Sequence, residues 1–495
     1  MTRGLALILW FIAQTAAAGP VFEDVSKRLP EHIYDGGWEH FVGGGVAIFD
    51  CNADRLPDIF VAGGKNPAKM IKNEGGFEFQ SVDIPRLTGV TGAYPINLDA
   101  DEFTDLIVLR VGANVALKGG AGCSFTDATR AWGLPAKDSW TTGFSAWWNE
   151  AGSKPTLAFG NYVDRTDPDG PFEACDDNVI LHPTPAGYSA QTLRPGFCPL
   201  SILAAKDARG RNTLRLSNDR HYYVKGGFEQ MWDIMDRRML TEADGWKKVA
   251  LWGMGIASRD LTGDGRDEVM LTSMGDQLLQ IAQPDGLYKA APFTIGTYAQ
   301  RPHTGGDGRP STGWHAEFAD VDNDGRADLF IAKGNVDQMP GMATRDPNNL
   351  LMQNADGTFS EASVAAGTAS LERSRGAGLA DFDGDGRLDI VVTNRRAHME
   401  LYRNVSEETG NWIAIELRQA GGNRDAIGAV ITVTTPDTKQ SLQNVIGGGH
   451  AGGQLLPRHF GLGGAKSAKA RIDWPDGTQT QHEVLAGKIH RIVKP

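Results

Sequence analysis

The sequence has few of the features that mark helical, zinc-binding or catalytic proteins. Its four cysteines form no CxxC pair, which argues against the common zinc and thioredoxin-like arrangements. Runs with a period of 3.6 residues are scarce, while 62 glycines and 24 prolines are typical of short strands joined by tight turns. No GxSxG, HExxH or kinase-like motif is present, so no enzyme family is indicated. The composition therefore predicts an all-β fold.

A long apolar run is also missing. The stretch from Leu5 to Ile12 is shorter than the ~20 residues that a bilayer requires, and no later segment reaches that length. Arg3 precedes this stretch and three alanines, residues 16–18, follow it, which is the pattern of a signal peptide. We expect cleavage near Ala18 and a mature protein that is secreted or periplasmic, with no membrane span.

Positive charge is in deficit. Lysine and arginine number 49 against 61 aspartates and glutamates, which gives a net charge of −12. A surface of this sign argues against a nucleic-acid partner. It does not identify one, and we expect a monomer that binds an unknown protein or carbohydrate ligand.

The cysteines carry a separate expectation. In an oxidising compartment Cys175 and Cys198 could close the loop between them as a disulfide. For Cys51 and Cys123 two interpretations stay open, because they could pair with each other or remain as buried thiols.

What the sequence does contain is a nine-residue motif in five copies. Each copy places oxygen-bearing side chains at positions 1, 3, 5 and 9, and an aliphatic run follows it. An apolar or Gly- and Ala-rich run precedes most copies, so the motif should lie in the turn between two buried strands. The copies are DCNADRLPD at 50–58, NLDADEFTD at 97–105, DLTGDGRDE at 260–268, DVDNDGRAD at 320–328 and DFDGDGRLD at 381–389.

This spacing predicts Ca²⁺ binding at up to five sites. Oxygen ligands at four positions, with a glycine at position 6 that permits positive φ, suit a hard and flexible coordination shell. Turn chemistry alone explains one such loop but not five with the same spacing. An EF-hand is excluded, because apolar strand residues stand at its twelfth position. The predicted ligands are Asp50, Asn52, Asp54 and Asp58; Asn97, Asp99, Asp101 and Asp105; Asp260, Thr262, Asp264 and Glu268; Asp320, Asp322, Asp324 and Asp328; and Asp381, Asp383, Asp385 and Asp389.

The five loops should differ in quality. The loops at 320 and 381 keep aspartate at all four ligand positions and glycine at position 6, so they should bind best. Thr262 and Glu268 weaken the loop at 260. Arg55 and Glu102 replace the glycine in the first two loops, which costs up to ~1 kcal/mol where φ is positive.

The repeats also predict the architecture. Two degenerate copies, starting at Trp148 and Ala205, complete seven units that begin at 50, 97, 148, 205, 260, 320 and 381, each long enough for about four strands. A seven-bladed propeller over residues 19–404 follows. The stretch from Val21 to Ser26 should supply the outer strand of the last unit, which removes exposed sheet edges. Residues 405–495 predict a small β domain, in which we interpret the glycine run 447–453 as a flexible hairpin.

With these residues in view, the sequence resembles the FG-GAP/VCBS propeller repeats of the integrin α type, whose hairpin loops bind calcium through DxDxDGxxD. The segments GNRDAIGAVITV (422–433) and RHFGLGGAKSAKARIDWPDGTQTQ (458–481) look like the ASPIC/UnbV domain. Together they are similar to bacterial members of the cartilage acidic protein family. The resemblance covers nearly the whole mature chain and implies an integrin α-like propeller followed by an ASPIC/UnbV domain.

We expect a binding or adhesion role without catalysis. The rival hypothesis is a carbohydrate-active lyase or dehydratase with its site in the central channel, and a convergent His, Tyr or Arg cluster there would favour it. His221, His315, His398 and His450 are single candidates for a general base, although structural roles are expected for each. The insert from Asp164 to Ser201, rich in Pro, Gly and Asp, is the predicted recognition loop.

Overall fold

The structure is a computed structural model that describes residues 19–149, 154–219, 226–298, 307–337 and 339–495. The predicted signal peptide and His221 lie outside the described residues. Within these ranges short strands dominate, which confirms the all-β class, and no helix is long and apolar enough to cross a bilayer. The described helices are α1 (Ser363–Ala366) and short 3₁₀ turns at Ser26–Arg28, Trp38–His40, Ala121–Cys123, Glu242–Asp244 and Phe293–Ile295.

The strands before residue 405 form four-stranded antiparallel units, which we call blades and number in chain order. Within each blade the strands are given from the innermost to the outermost. Strand β1 (Phe22–Asp24) precedes them. Blade 1 contains β2 (Val46–Phe49), β3 (Asp58–Val61), β4 (Lys69–Asn73) and β5 (Phe79–Val82); blade 2 contains β6 (Val90–Ile96), β7 (Asp105–Ala113), β8 (Val115–Gly120) and β9 (Ser124–Asp127). Blade 3 contains β10 (Asp138–Trp147), β11 (Thr156–Asn161), β12 (Asn178–Thr184) and β13 (Gly187–Leu193).

The later blades repeat this order. Blade 4 contains β14 (Pro199–Lys206), β15 (Asn212–Asn218), β16 (Gln230–Asp233) and β17 (Arg238–Met239); blade 5 contains β18 (Gly253–Arg259), β19 (Glu268–Ser273), β20 (Leu278–Ala282) and β21 (Tyr288–Ala290). Blade 6 contains β22 (Gly313–Ala319), β23 (Asp328–Lys333), β24 (Asn349–Gln353) and β25 (Phe359–Glu361); blade 7 contains β26 (Ser374–Ala380), β27 (Asp389–Asn394) and β28 (Glu400–Asn404), with β1 as its fourth strand.

The blades close into a ring. Each innermost strand contacts the innermost strand of the next blade, and β26 of blade 7 contacts β2 of blade 1. The Gly376 N–H donates to the Gly44 carbonyl at 3.2 Å across this closure. Strand β1 pairs with β28 in antiparallel register, with Phe22 opposite Asn404, as the sequence predicts. The N-terminal strand therefore completes the last blade, and the propeller has no open seam there.

Blade packing explains the continuous apolar runs that follow each motif. Ile390, Val391 and Val392 of β27 are all fully buried, because a neighbouring blade covers each face of the sheet. The sequence of a strand that is buried on both faces is an unbroken apolar run and does not alternate between apolar and polar residues. Two disulfides add covalent links between elements: Cys51 to Cys123 joins blade 1 to blade 2, and Cys175 to Cys198 joins the outer part of blade 3 to the start of blade 4.

The C-terminal strands form two small sheets. The strands are β29 (Asn411–Arg418), β30 (Val430–Thr434), β31 (Lys439–Gln443), β32 (Gln454–Leu455), β33 (Arg458–Gly463), β34 (Ser467–Asp473), β35 (Gln479–Leu485) and β36 (Lys488–Val493). One sheet has the order β33-β29-β36 and the other β31-β30-β34-β35, and both bury apolar side chains such as Ile413, Ile431, Phe460 and Trp474 in one shared core. The short strand β32 leaves this domain and pairs with β2 of blade 1.

Candidate metal-binding loops and the central channel

All five motif copies lie at the same end of the propeller. Each connects the innermost strand of its blade to the second strand, as 320–327 connects β22 to β23. Because the innermost strands run in the same direction around the ring, the five loops share one face, which we call the loop face. The repeat therefore produces a ring of acidic loops from one local sequence pattern.

The first carboxylate of each well-formed loop organises the turn. In blade 6, Asp320 accepts the N–H of Asp324 at 3.0 Å and that of Gly325 at 2.8 Å. Gly325 has φ +94°, a conformation that glycine adopts without strain and that aims its N–H at Asp320. Asp50, Asp260 and Asp381 accept the corresponding N–H groups in blades 1, 5 and 7.

The ninth residue has a second role that the sequence did not reveal. Asp328 is buried and accepts the N–H of Val321 at 3.0 Å and that of Gln353 at 2.9 Å, so it clamps the loop to the third strand of its blade. The same pair of bonds recurs in the other blades, where the acceptors are Asp58, Asp105, Glu268 and Asp389. One side chain thus closes the loop and also occupies a predicted ligand position.

Carboxylates converge most closely in blades 6 and 7. Oxygens of Asp320, Asp322 and Asp328 lie within 4.8 Å of one another, and those of Asp381, Asp383 and Asp385 do the same. Burial, followed by repulsion from neighbouring carboxylates, holds the pKa of Asp320 and that of Asp328 well above the ordinary range. Burial also raises the pKa of Asp381 to about 6. Such clusters are unfavourable as isolated anions, and a bound cation would relieve them.

Arginines modify these clusters. Arg326 pairs with Asp324 and Arg387 with Asp385, so the fifth-position carboxylate carries a neighbouring positive charge in both blades. In blade 7, Arg403 also lies 2.7 Å from Asp383. Among the described residues no lysine or arginine pairs with Asp322, the equivalent side chain of blade 6. Blade 6 therefore has the least compensated set of third- and ninth-position carboxylates.

The loops of blades 1 and 5 keep the turn with weaker ligand sets. Arg55 has φ +72°, so the expected strain of a non-glycine residue at position 6 applies in blade 1. In blade 5, Thr262 is exposed, and burial raises the pKa of the clamp residue Glu268 to about 7. Both loops retain the buried ninth carboxylate that the motif predicts.

The blade 2 loop is different. Lys118 of β8 brings its ammonium group to Asp99 and to within 2.6 Å of an Asp101 oxygen. The Asn97 amide donates to the Asp101 carbonyl at 2.8 Å and so turns its N–H₂ group into the loop. A cation from the chain itself compensates these carboxylates.

The C-terminal domain covers the loop face. The Gly410 N–H donates to the Asp322 carbonyl at 2.8 Å, and the Gly463 N–H donates to the Asn323 carbonyl at 2.8 Å, both in the blade 6 loop. Lys439 donates to the Gly263 carbonyl of blade 5 at 3.2 Å. Because these contacts use loop backbone, the conformation of the acidic loops also determines how the C-terminal domain docks.

A segment of the C-terminal domain fills the central channel. We call residues 446–455 the channel segment; it contains the glycine run that the sequence suggested was a flexible hairpin, and that interpretation is wrong. Its backbone bonds to innermost strands around the ring, with donors and acceptors at Ile48, Ala93, Ser145, Ile202 and Ile256. Half of its residues are buried and none is exposed.

Glycines make this insertion possible. A Cβ at Gly92 would lie 1.6 Å from the Ala451 carbonyl oxygen, and one at Gly45 would lie 1.8 Å from the same atom. Gly448 and Gly449 have φ of +72° and +58°, which lets the segment bend inside the ring. The glycines therefore serve close backbone approach.

Histidine, tyrosine and arginine side chains do gather in the channel. His450 is fully buried; its Nε2 accepts the Gly43 N–H at 3.1 Å, and its Nδ1 lies 3.2 Å from the Met254 carbonyl, to which it donates. Burial lowers the pKa of His450 to about 3. Arg375 donates to four backbone carbonyls, and the Tyr34 hydroxyl donates to the Val42 carbonyl. These groups hold backbone in place.

Part of the predicted recognition loop is regular structure, so the loop interpretation is wrong for that part. Residues 178–184 and 187–193 form β12 and β13, the outer hairpin of blade 3. Prolines and glycines suggested a loop, but the outer strands of a blade tolerate them because few backbone partners lie beyond. The stretches 164–177 and 194–198 are mostly irregular.

Comparison with known families identifies two kinds of module. The "ASPIC and UnbV" family matches residues 419–495, and the "FG-GAP-like repeat" family matches residues 260–331 and 341–392. Cartilage acidic protein 1 of Homo sapiens is 25% identical over 180 residues, and that of Xenopus tropicalis is 26% identical over 179 residues. The matched part is 36% and 35% of this chain and spans only 27% of each relative.

Solved structures give weaker similarity. BBS1N in complex with ARL6DN aligns with a TM-score of 0.45 at 10% identity, over 73% of this chain and 92% of that chain. The extracellular domain of a putative hybrid two-component system from B. thetaiotaomicron aligns with a TM-score of 0.43 at 7% identity, over 92% of this chain and 57% of that chain. The strand pairing of this chain, and not these alignments, defines the fold.

Proposed function

We propose that this chain, which carries FG-GAP-like repeats and an ASPIC/UnbV domain, is an exported calcium-binding β-propeller that acts as an interaction protein. The family matches are those that the motifs and the HFGLG and WPDG segments indicated. Export agrees with two disulfides, which persist in oxidising compartments.

The observation that carries the calcium proposal is the blade 6 cluster. Asp320, Asp322 and Asp328 bring carboxylate oxygens together in a partly buried loop, and no lysine or arginine of the described chain pairs with Asp322. All available donors are oxygens on a flexible loop, which suits Ca²⁺ better than Mg²⁺ with its strict octahedral geometry. A bound Ca²⁺ would supply the missing positive charge. Equivalent residues would hold the ion in blade 7 and, more weakly, in blades 1 and 5.

We assign no catalytic role. The rival hypothesis places a site in the central channel, where the channel segment of the chain itself occupies the ring. The nitrogens of His450 are both engaged with backbone groups, and so are the polar groups of Arg375 and Tyr34. A general base needs a free position next to a substrate proton, which this arrangement does not offer.

A binding face is available at the opposite end of the ring. A cavity of about 450 Å³ there is lined by Trp38, Phe41, Met254 and Arg395, among others. Trp38 is 45% exposed although its ring packs on that of Trp140, at 4.9 Å between centroids. Exposed indoles on a rigid scaffold are typical of protein and carbohydrate recognition.

Thermal unfolding tests the calcium proposal. The mature protein would be melted in EGTA, then in Ca²⁺ and in Mg²⁺ at matched ionic strength. We expect a higher unfolding midpoint with Ca²⁺ and little change with Mg²⁺, because one site at 100 times its Kd stabilises the fold by about 2.7 kcal/mol. An unchanged midpoint in all three buffers would contradict calcium binding. The interaction role needs a separate test. Trp38→Ala should weaken the binding of any ligand found on glycan or protein arrays. Equal binding by the wild type and the variant would rule out that face.

A further inference from the structure

A crevice separates the loop face from the C-terminal domain. It has a volume of about 440 Å³, which lies in the range of small-molecule sites. Leu379 and Phe318 line it from the propeller, and Leu442, Leu455 and Ile489 line it from the C-terminal domain and the channel segment. Many charged side chains of both signs line the rest of it.

Arg259, at the end of β18, is one of these groups. The residue is only 3% exposed, its guanidinium lies 5.2 Å from the centre of the Phe460 ring, and its Nη2 donates to the Gln440 amide oxygen at 3.3 Å. Within the described ranges no carboxylate forms an ion pair with it. The carboxylates of Asp320, Asp267 and Asp260 act on this guanidinium from beyond ion-pair distance and offset part of the cost of its burial. An anion in direct contact would compensate it more fully.

Arg458, the first residue of β33, is the second. It donates to the Asn444 amide oxygen at 2.9 Å and to the Val445 carbonyl at 3.0 Å, and the described chain again provides no carboxylate at ion-pair distance. Burial lowers the pKa of Arg458 to about 10; the Glu317 carboxylate opposes this shift and the charge of Arg259 adds to it. The two guanidiniums are therefore close enough to repel each other.

The carboxylates near these two arginines have other partners. Both oxygens of Glu317 accept from the Gln454 amide, at 2.7 and 2.8 Å, and Asp320 accepts N–H groups of its own loop. By contrast, Arg418 and Arg491, which also line the crevice, each pair with Glu416 at 2.7 Å. Within the described chain Arg259 and Arg458 have no carboxylate at ion-pair distance.

We propose that this crevice binds a small organic anion, with its charged group between Arg259 and Arg458 and its apolar body against the leucine-lined wall. The chemical class is a carboxylate, sulfonate or phosphate on an aromatic or aliphatic frame. Guanidinium groups match such oxyanions through parallel N–H donors. The crevice borders the metal-binding loops, since Asp50, Asp320 and Asp381 also line it, and it lies away from the opposite mouth of the channel.

Two fluorescent probes that differ in one charged group test this. The full mature protein in calcium would be titrated with 8-anilinonaphthalene-1-sulfonate and with N-phenyl-1-naphthylamine, which lacks the sulfonate. We expect one sulfonate probe per chain, bound at least ten-fold more tightly than the neutral probe. Arg458→Gln should reduce that preference to less than three-fold, while Arg471→Gln, an exposed arginine of the same domain that pairs with Asp473, should leave it unchanged.

The variants also separate binding from folding. Arg458→Lys keeps the charge and should keep most of the preference, and the unfolding midpoint of each variant would show whether it is intact. Should Arg458→Gln fail to fold, Arg259→Gln provides the same comparison. Equal affinity for the two probes in the wild type, or a preference that survives Arg458→Gln in folded protein, would overturn the proposal.

Discussion

The loops of blades 6 and 2 have the same spacing of oxygen ligands but different sources of positive charge. In blade 6, Asp320, Asp322 and Asp328 converge, and among the described residues no lysine or arginine pairs with Asp322. In blade 2, Lys118 reaches Asp99 and Asp101 from the third strand. With calcium bound as proposed, both turns would have a cation among their carboxylates, one from solution and one from a side chain of the protein.

Differences in sequence between the loops of blades 6 and 2 also make the blade 2 loop less suited to a metal ion. Gly325 takes a positive φ and directs its N–H to Asp320, whereas Glu102, at the same position in blade 2, is not among the residues with positive φ. Asn97 replaces the first aspartate and directs its amide towards the loop carbonyls. Blade 2 thus loses a carboxylate, a turn conformation and free carboxylate oxygens together.

The largest expected effect comes from the ninth position. Asp328→Asn should lower the free energy of unfolding in calcium by roughly 3 to 5 kcal/mol, because it disturbs the clamp on two buried N–H groups and weakens the ion site. Asp105→Asn in blade 2 is the matched control; it should cost about 1 to 3 kcal/mol, with no dependence on calcium. Denaturant unfolding of both variants with and without EGTA would check this, and equal calcium dependence would break the comparison.

A substitution at the third position tests ion binding without disturbing the hydrogen bonds of the ninth residue. Asp322→Ala should remove one bound Ca²⁺ and about 2.7 kcal/mol of stability at 100 times Kd, since this side chain holds no strand in place. Asp99→Ala should leave the ion count unchanged and alter stability by less than about 1 kcal/mol, the usual value for a partly exposed ion pair. Calcium analysis and melting would be measured together. Loss of an ion from Asp99→Ala would show that blade 2 also binds metal.

Blade 2 can be converted in the opposite direction. Lys118→Ala combined with Asn97→Asp removes the internal cation and restores the first carboxylate, so the protein should gain one Ca²⁺ and a larger calcium-dependent rise in its midpoint. Equilibrium calcium binding would be compared with that of the wild type. An unchanged ion count would mean that Glu102 or the loop conformation, and not Lys118, excludes the metal.

The smallest expected effect concerns blade 7. Arg403 competes for Asp383, so Arg403→Gln should raise calcium affinity there by about 2- to 5-fold, in line with a surface ion pair. Calorimetric titration of calcium would detect this, with Arg471→Gln as the control. A lower affinity would indicate that Arg403 positions Asp383 for the ion.

Much of the fold could be predicted from the sequence because the repeat is local. Each motif determines its own turn and the two strands beside it, and the match of Val21–Ser26 to a missing outer strand led to the closure seen between β1 and β28. The all-β class followed from composition and pattern. Blade 3 was harder, because its outer hairpin lies in a stretch whose prolines and glycines resemble a loop.

The site was only partly predictable for a physical reason. The ligand positions follow from spacing within nine residues, but Lys118 enters the blade 2 loop from a different strand, and no motif marks it. Likewise, the glycine run 447–453 signalled unusual backbone, yet its partners, such as Gly45 and Gly92, lie hundreds of residues away. Contacts of that kind depend on ring closure, which a local pattern does not encode.

Equilibrium dialysis of the mature protein against radioactive calcium counts the bound ions. In millimolar calcium we expect at least two ions per chain, from blades 6 and 7, one fewer in Asp322→Ala and the same number in Asp99→Ala. A wild-type protein that binds no calcium under these conditions would contradict calcium binding by the acidic loops.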